Sequence, residues 1–283
     1  MGAVASVAEL RRWYLHEKRP LSAAEARALR SDPRKGVAQL LQQLEQRHAQ
    51  REAERRRQAT LLQAESALWA QGCSRVAGVD EVGMSPWAGP IVAAAVVLVA
   101  GPPPSKWRLP AGVRDSKQIP EPERERLAEV LRSAVFTWAV GSASPAELAR
   151  LNVYHSGRLA MRRAVAALRP RPDALLVDAR EIPGFDGPQT PIVRGDGASL
   201  SIAAASILAK VARDRYLRGM EVRHPGYGFA SHKGYGTAVH REALRRHGGT
   251  PEHRWAFDAV RKAAGIAEPD ASQASLPFAP VVA

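Results

Sequence analysis

Two adjacent carboxylates, Asp80 and Glu81, close an apolar run, Arg75-Val76-Ala77-Gly78-Val79, and no other feature restricts the fold of this chain so tightly. The run is followed by Pro86-Trp87-Ala88-Gly89-Pro90 and by a second apolar stretch, Ile91 to Val99. Short β-branched runs bounded by Gly and Pro read as strands. The brief Gly/Pro connection makes these two an antiparallel pair. Two charges at the exit of a buried strand are costly unless something neutralises them. A divalent metal is the natural partner, because Mg²⁺ and Mn²⁺ prefer hard carboxylate oxygens. Successive strand residues face opposite ways, so serving one metal pair would require a turn or bulge at Asp80-Glu81.

The same alternation continues downstream. Candidate strands lie at 75–81, 91–99, 135–141, 174–178 and 191–194, and candidate helices at 121–133, 153–168, 201–223 and 238–246. Strands that alternate with helices beyond the first pair imply an α/β domain with a mixed sheet. Residues 1–70 have a different texture and read as a helical extension. Leu21-Ser22-Ala23-Ala24-Glu25 is a capped helix start, and Asp32-Pro33-Arg34-Lys35-Gly36 marks a break before a long Ala/Leu/Gln/Glu/Arg-rich stretch, 37–69. The organisation expected is therefore 1–70 helical, 71–223 catalytic core, 224–264 a substrate-contacting segment and 265–283 a disordered Ala/Pro/Ser-rich tail.

The charge narrows the partners. With 41 Lys and Arg against 28 Asp and Glu, the net charge is +13, which points to a polyanion and foremost to nucleic acid, although a coding bias toward Ala and Arg would raise Arg as well. Arg51, Arg55, Arg56 and Arg57 form a basic helical segment that reads either as a nucleic-acid-facing arm or as a solvated face. Cys73 is the sole cysteine, which excludes an intrachain disulfide and a thiolate metal site. No signal-peptide pattern and no apolar stretch of membrane-spanning length is present, so a cytoplasmic location is expected.

Further acids end apolar or strand-like runs. Asp178 closes Ala174-Leu175-Leu176-Val177, and Asp196 lies in Val193-Arg194-Gly195-Asp196-Gly197 before a long helix. Taken singly, a strand-end Asp is also a turn former or helix cap. Taken together, four carboxylates on neighbouring strand ends suit two-metal phosphodiester cleavage. Asp115 and Asp214 compete for the role. Asp214 sits mid-helix among Arg213, Arg215 and Arg218 and reads as a structural ion pair, while Lys117 either meets a phosphate or pairs with Asp115. In 224–254, Tyr227, Phe229, His232, Lys233, Tyr235, His240, His253 and Arg254 interleave rings, cations and glycines. That mixture can grip a phosphate backbone while a ring stacks on a base or sugar. Helical core packing of Tyr227 and Phe229 is the plainer reading, and the His spacing does not match zinc patterns.

Several of these segments resemble the ribonuclease HII family. They are Ala77-Gly78-Val79-Asp80-Glu81-Val82-Gly83 with Pro86 and Ala88-Gly89-Pro90, then Asp115-Ser116-Lys117, Leu176-Val177-Asp178 and Gly195-Asp196. Ala204 to Val211 with Arg213-Asp214, His232-Lys233-Gly234-Tyr235-Gly236-Thr237, and His253-Arg254 with Phe257 follow in the expected order across about residues 73–262. Asp32-Pro33-Arg34-Lys35 and the helical arm look like the extension that some bacterial members carry. The resemblance implies a ribonuclease H-like mixed sheet flanked by helices, with a helical N-terminal extension and a helical C-terminal segment. It implies cleavage of the RNA strand of RNA–DNA hybrids and nicking of duplex DNA 5′ of an embedded ribonucleotide, leaving 3′-hydroxyl and 5′-phosphate ends. The family's metal-binding acids carry over to Asp80, Glu81, Asp178 and Asp196, with Mn²⁺ or Mg²⁺ at a two-metal site, and its junction-reading tyrosine to Tyr235.

One departure stands out. Where the family reads Gly-Arg-Gly, a loop that hydrogen-bonds the 2′-hydroxyl and neighbouring phosphates, this chain has Gly83-Met84-Ser85. Met84 lacks five donors and a fixed charge, and Ser85 adds a Cβ where the backbone should approach the sugar. Weakened or altered junction recognition is expected. The alternatives are a hybrid-only nuclease and a binding protein of the same fold without useful catalysis. In the tail, Gln273-Ala274-Ser275-Leu276-Pro277-Phe278 resembles the short Gln-x-x-Leu-x-Phe peptides that bind the bacterial sliding clamp, as against a functionless low-complexity end.

Overall fold

Apolar runs flanked by turn residues form a single sheet covered on both faces. The computed structural model describes residues 5–104 and 107–266, so the Gln273–Phe278 peptide and the tail around it lie outside the described residues. Five strands, β1 (Val76–Val82), β2 (Ile91–Val97), β3 (Thr137–Ala143), β4 (Ala174–Asp178) and β5 (Gln189–Ile192), lie in the order β3-β2-β1-β4-β5. β1 is antiparallel to β2 and parallel to β4, while β2–β3 is antiparallel and β4–β5 parallel, which makes the mixed sheet expected from the sequence. Pro191 is tolerated within β5 because that strand is an edge, where a missing N–H breaks no interior ladder.

The helices are α1 (Val7–Arg11), α2 (Ala23–Arg30), α3 (Lys35–Leu61), α4 (Gln63–Ala70), α5 (Glu121–Ala134) and α6 (Pro145–Ala167), then α7 (Leu200–Arg223), α8 (Phe229–His232), α9 (Ala238–His247) and α10 (Asp258–Ala263). One sheet face, with Ala77, Val79, Ile91, Ala93 and Ala95, packs on Ala160, Met161 and Ala164 of α6. The other, with Ala94 and Val96, packs on Ala203, Ala204, Ile207 and Leu208 of α7 and on Leu127 and Leu131 of α5. Burial on both faces is why β2 reads as an unbroken apolar run rather than an alternating one.

Two glycines set how closely the helices approach. A Cβ on Gly78 would lie 2.2 Å from the Ser201 carbonyl carbon, and one on Gly141 would lie 2.3 Å from the Ala160 oxygen. α7 and α6 therefore ride directly on the sheet backbone at these points. α6 begins earlier than the expected Val153. Ser144 and Glu147 form a capping box for a first stretch, and the chain kinks at Asn152 (φ 65°), whose side chain accepts the His155 amide. Asn tolerates that left-handed conformation better than most residues and doubles as the cap of the second stretch.

Compact units divide between Thr60 and Leu61. In the first, capping boxes at Ser6/Glu9 and Ser22/Glu25 start α1 and α2, and Leu10, Tyr14, Leu29, Val37 and Leu40 form a small core. Arg55 and Arg57 there pair with Glu52 and Glu54 one helical turn away. α4 belongs with the second unit. Leu68 and Trp69 pack on Val76, Ala174 and Leu176, and the buried Glu65 carboxylate accepts from Ser199 Oγ (2.7 Å), Ser201 N (2.9 Å) and Ser201 Oγ (2.7 Å). That carboxylate caps the start of α7, where the helix dipole favours negative charge. Among the described residues no helix is long and apolar enough to cross a membrane.

Candidate metal centre

The site is a consequence of strand direction. β1 and β4 run parallel with Val79 opposite Val177, so Asp80 and Asp178 emerge side by side where that pairing ends. β5 ends beside Asp178, and the chain then turns through Gly195-Asp196 before α7. The turn or bulge expected between Asp80 and Glu81 is absent, because β1 stays in step with β2 through Val82 opposite Val92. The β4 side is open beyond Val79, and the longer Glu81 side chain reaches round that edge instead. One carboxylate oxygen from each of Asp80, Glu81 and Asp178 lies within 4.8 Å of the other two.

Such crowding is unfavourable for three like charges. Burial, and then the charges of Glu81 and Asp178, push the Asp80 carboxyl well above the usual carboxylate range. Burial raises Glu81 as well, partly opposed by Arg180, whose Nη2 stands 4.0 Å from Glu81 Oε1. Asp80 accepts the Glu81 amide at 2.8 Å, and Asp178 accepts the Gly195 amide at 2.8 Å. Glu81 Oε2 is buried and meets no hydrogen-bond partner among the described residues. An orphaned buried oxygen beside two more carboxylates, with no thiolate or imidazole among the three, fits a hard divalent cation such as Mg²⁺ or Mn²⁺.

The fourth expected acid, Asp196, stands outside the three-carboxylate group, although Gly195 ties its turn to Asp178. Burial and the neighbouring Asp115 raise its carboxyl. Lys117 is exposed and reaches Asp196 Oδ2 at 4.0 Å, so its acidic neighbour is Asp196, whereas Asp115 accepts the Lys117 amide. Asp214 is a structural ion pair, but with Arg124 (3.2 Å) and Lys210 (2.6 Å) rather than with the flanking arginines. Arg180, with its guanidinium 4.9 Å from the exposed Tyr154 ring, escaped the sequence reading. The one available signal was its place two residues after a strand-ending acid.

The loop after Glu81 is held from behind. Gly83 has φ +94°, and a Cβ there would strike the Arg213 side chain at 2.3 Å, so this position requires glycine. Met84 packs against the core over Gly157 of α6 and does not project outward as a contact residue. Ser85 is exposed. Arg254 and Arg213, both fully buried, donate to main-chain oxygens of this loop, and burial lowers them to about 9 and about 10.

The segment 224–254 corrects the sequence reading in part. Tyr227 and Phe229 are buried and stacked on each other, with ring centroids 5.2 Å apart, so they are core residues and not base platforms. His240 and His253 are buried too, joined Nε2 to Nε2 at 3.0 Å, and burial holds both down to about 4. The Thr250 amide donates to His253 Nδ1, so His253 Nε2–H donates to His240, and His240 Nδ1–H donates to the Tyr235 carbonyl (2.9 Å). Lys233 is drawn to Glu121 at 3.2 Å. Of these groups, His240 holds the backbone of Tyr235, a residue that is 46% exposed.

A mixed sheet with carboxylates gathered where its central parallel pairing ends is the arrangement of a ribonuclease H-like nuclease. The sequence model for Ribonuclease HII matches residues 77–262, and that for the Ribonuclease HII N-terminal domain matches 7–69. The chain belongs to the ribonuclease HII family. It is 50% identical over 263 residues to a ribonuclease HII of Anaeromyxobacter sp. (strain Fw109-5), covering 93% of this chain and 81% of that one. It is 46% identical over 280 residues to that of Myxococcus xanthus (strain DK1622), covering 97% and 94%. Among solved structures, the ribonuclease H2 of Pyrococcus horikoshii OT3 aligns with a TM-score of 0.58 at 25% identity, covering 68% of this chain and 97% of that one.

The raised Asp80 carboxyl has a measurable consequence. Cation binding requires the carboxylate form, so binding displaces a proton and affinity climbs as pH rises toward the raised value, then levels off. Calorimetric titration of Mn²⁺ over a series of pH values, each in two buffers of different ionisation enthalpy, is expected to show proton release that grows as the pH falls, and Asp80→Asn to reduce it. Binding without proton exchange would contradict the crowded-carboxylate account.

Proposed function

We propose that Asp80, Glu81 and Asp178 hold the divalent cations of this ribonuclease HII, with Asp196 completing the set from the neighbouring turn, and that the enzyme nicks duplex DNA 5′ of a single ribonucleotide as well as cutting the RNA strand of hybrids. The observation that carries the assignment is the shared space of three carboxylates within 4.8 Å, with Glu81 Oε2 left unpartnered. A divalent cation bound there supplies Lewis-acid stabilisation of the charge that builds on the phosphoryl oxygens during hydrolysis, which leaves a 3′-hydroxyl and a 5′-phosphate.

The protein's own groups position the strand. Lys117, exposed beside Asp196, can meet a phosphate oxygen, and Arg180 supplies a second cation next to Glu81. The Tyr235 ring is exposed on a backbone anchored by the Gly234 carbonyl to Trp87 N (2.8 Å) and by His240, which suits packing on the deoxyribose after the ribonucleotide. The main chain of Gly83-Met84-Ser85 faces the sugar whose 2′-hydroxyl distinguishes RNA from DNA.

Duplex DNA with one ribonucleotide, assayed beside an all-RNA-strand hybrid in Mg²⁺ and in Mn²⁺, separates the readings. Both substrates are expected to be cut, and Asp80→Asn to lose on the order of a thousandfold or more, since several kcal/mol of charge stabilisation go with the cation. Cleavage of the hybrid alone would establish a hybrid-only nuclease. Binding without cleavage of either substrate would establish the non-catalytic reading.

The tail peptide Gln273-Ala274-Ser275-Leu276-Pro277-Phe278 is proposed as a sliding-clamp ligand, since an extended peptide with apolar anchors suits groove binding. Removing residues 272–283 is expected to abolish clamp binding by surface plasmon resonance while nicking continues; undiminished binding would reject the idea.

A further inference from the structure

Two buried guanidiniums carry the loop between the acids and the second strand. Arg254 donates from Nη2 to the Gly83 oxygen (2.6 Å), from Nη1 to the Met84 oxygen (3.0 Å) and from Nε to the Gly89 oxygen (2.9 Å). Arg213 donates from Nε to Pro90 (3.1 Å), from Nη2 to Ala88 (3.0 Å) and from Nη1 to the Lys233 oxygen (2.9 Å), two residues before Tyr235. Both side chains are 0% exposed, and no carboxylate pairs with either among the described residues. Leaving two cations buried without a counter-ion is costly, and six carbonyl oxygens are what compensates them.

The peptide bond makes this more than packing. In a planar trans peptide the C=O and the following N–H point in opposite directions. Arg254 draws the Gly83 and Met84 carbonyls inward, so the amides of Met84 and Ser85 are turned away from it, and neither amide meets an acceptor among the described residues. Two neighbouring donors on one face, with two positive charges behind them, are suited to an oxygen acceptor on the substrate strand.

We propose that Arg254, braced by Arg213, is a positioning residue that aims the Met84 and Ser85 amides at an oxygen of the ribonucleotide, either its phosphate oxygen or its 2′-hydroxyl oxygen. Recognition then runs through the main chain, and the side chain at 84 is free to pack on Gly157, which accounts for methionine at that position. The inference rests on the single-ribonucleotide reading above and adds the groups that orient the loop.

Nicking kinetics of Arg254→Lys on the one-ribonucleotide duplex test it, with an all-DNA duplex as competitor. Lys offers one point charge where Arg holds three oxygens in a fixed fork. With a cooperative melting transition above the assay temperature, KM is expected to rise about tenfold, the worth of one hydrogen bond, while Mn²⁺ affinity is retained. A competitor Ki that rises with KM identifies the acceptor as phosphate, and a constant Ki identifies it as the 2′-hydroxyl; either supports the proposal. An unchanged KM in the folded variant, with any loss confined to the active fraction, overturns it. If Arg254→Lys does not fold, Arg213→Lys is read by the same criteria. If the wild-type protein fails to nick the one-ribonucleotide duplex, the single-ribonucleotide reading fails instead, and KM on the all-RNA hybrid still decides whether Arg254 positions the loop.

Discussion

Repulsion among three crowded carboxylates, one buried and two half-buried, is the constraint around which this molecule is organised. Asp80, Glu81 and Asp178 converge because β1 and β4 are parallel and their pairing stops at Val79 and Val177, and no group among the described residues neutralises them fully. Arg180 stands 4.0 Å from Glu81, and Lys117 is the same distance from Asp196 rather than inside the group. The folded state therefore holds an unfavourable arrangement in place. Much of the structure reads as the means of doing so: glycine contacts that seat α6 and α7 on the sheet, and Glu65 capping α7 just after Asp196.

Around the acids, polar groups are spent on backbone geometry more than on surface charge. Arg213 and Arg254 bind carbonyl oxygens of the loop after Glu81, and the neutral His253–His240 chain ends on the Tyr235 carbonyl. Buried networks of this kind are costly when incomplete and rigid when complete. They hold the loop after Glu81 and the backbone of Tyr235 with little freedom to relax.

The strands and the acids were legible because their signals are local. A β-branched run that ends in a carboxylate is visible in sequence, and so is the serine that caps α2, whereas the Ser144 cap of α6 went unread and that helix begins earlier than expected. Direction was not legible. Rings and cations interleaved over 224–254 look alike whether they face a phosphate oxygen or a carbonyl oxygen, since the donors are the same. Tyr227, Phe229, His240, His253 and Arg254 face inward, and only the long-range packing of α7 and the 83–90 loop decides that. Met84 was read as a lost contact for the same reason, because its packing over Gly157 joins segments far apart in the chain. The missing bulge at Asp80-Glu81 has a simpler cause: side-chain length closes a gap that strand alternation alone would leave open.

If the carboxylate cluster is held at a cost that a cation relieves, stability without metal should rise when one charge is removed. Thermal unfolding of the wild type and of Asp80→Asn, each in chelator and in Mn²⁺, tests this directly. Asn can still accept the Glu81 amide, so the substitution removes charge with little loss of hydrogen bonding. The account predicts that in chelator Asp80→Asn melts above the wild type, and that Mn²⁺ raises the wild type far more than the variant. A variant that melts below the wild type in chelator would contradict it, because the three carboxylates would then be stabilising one another's surroundings without any metal.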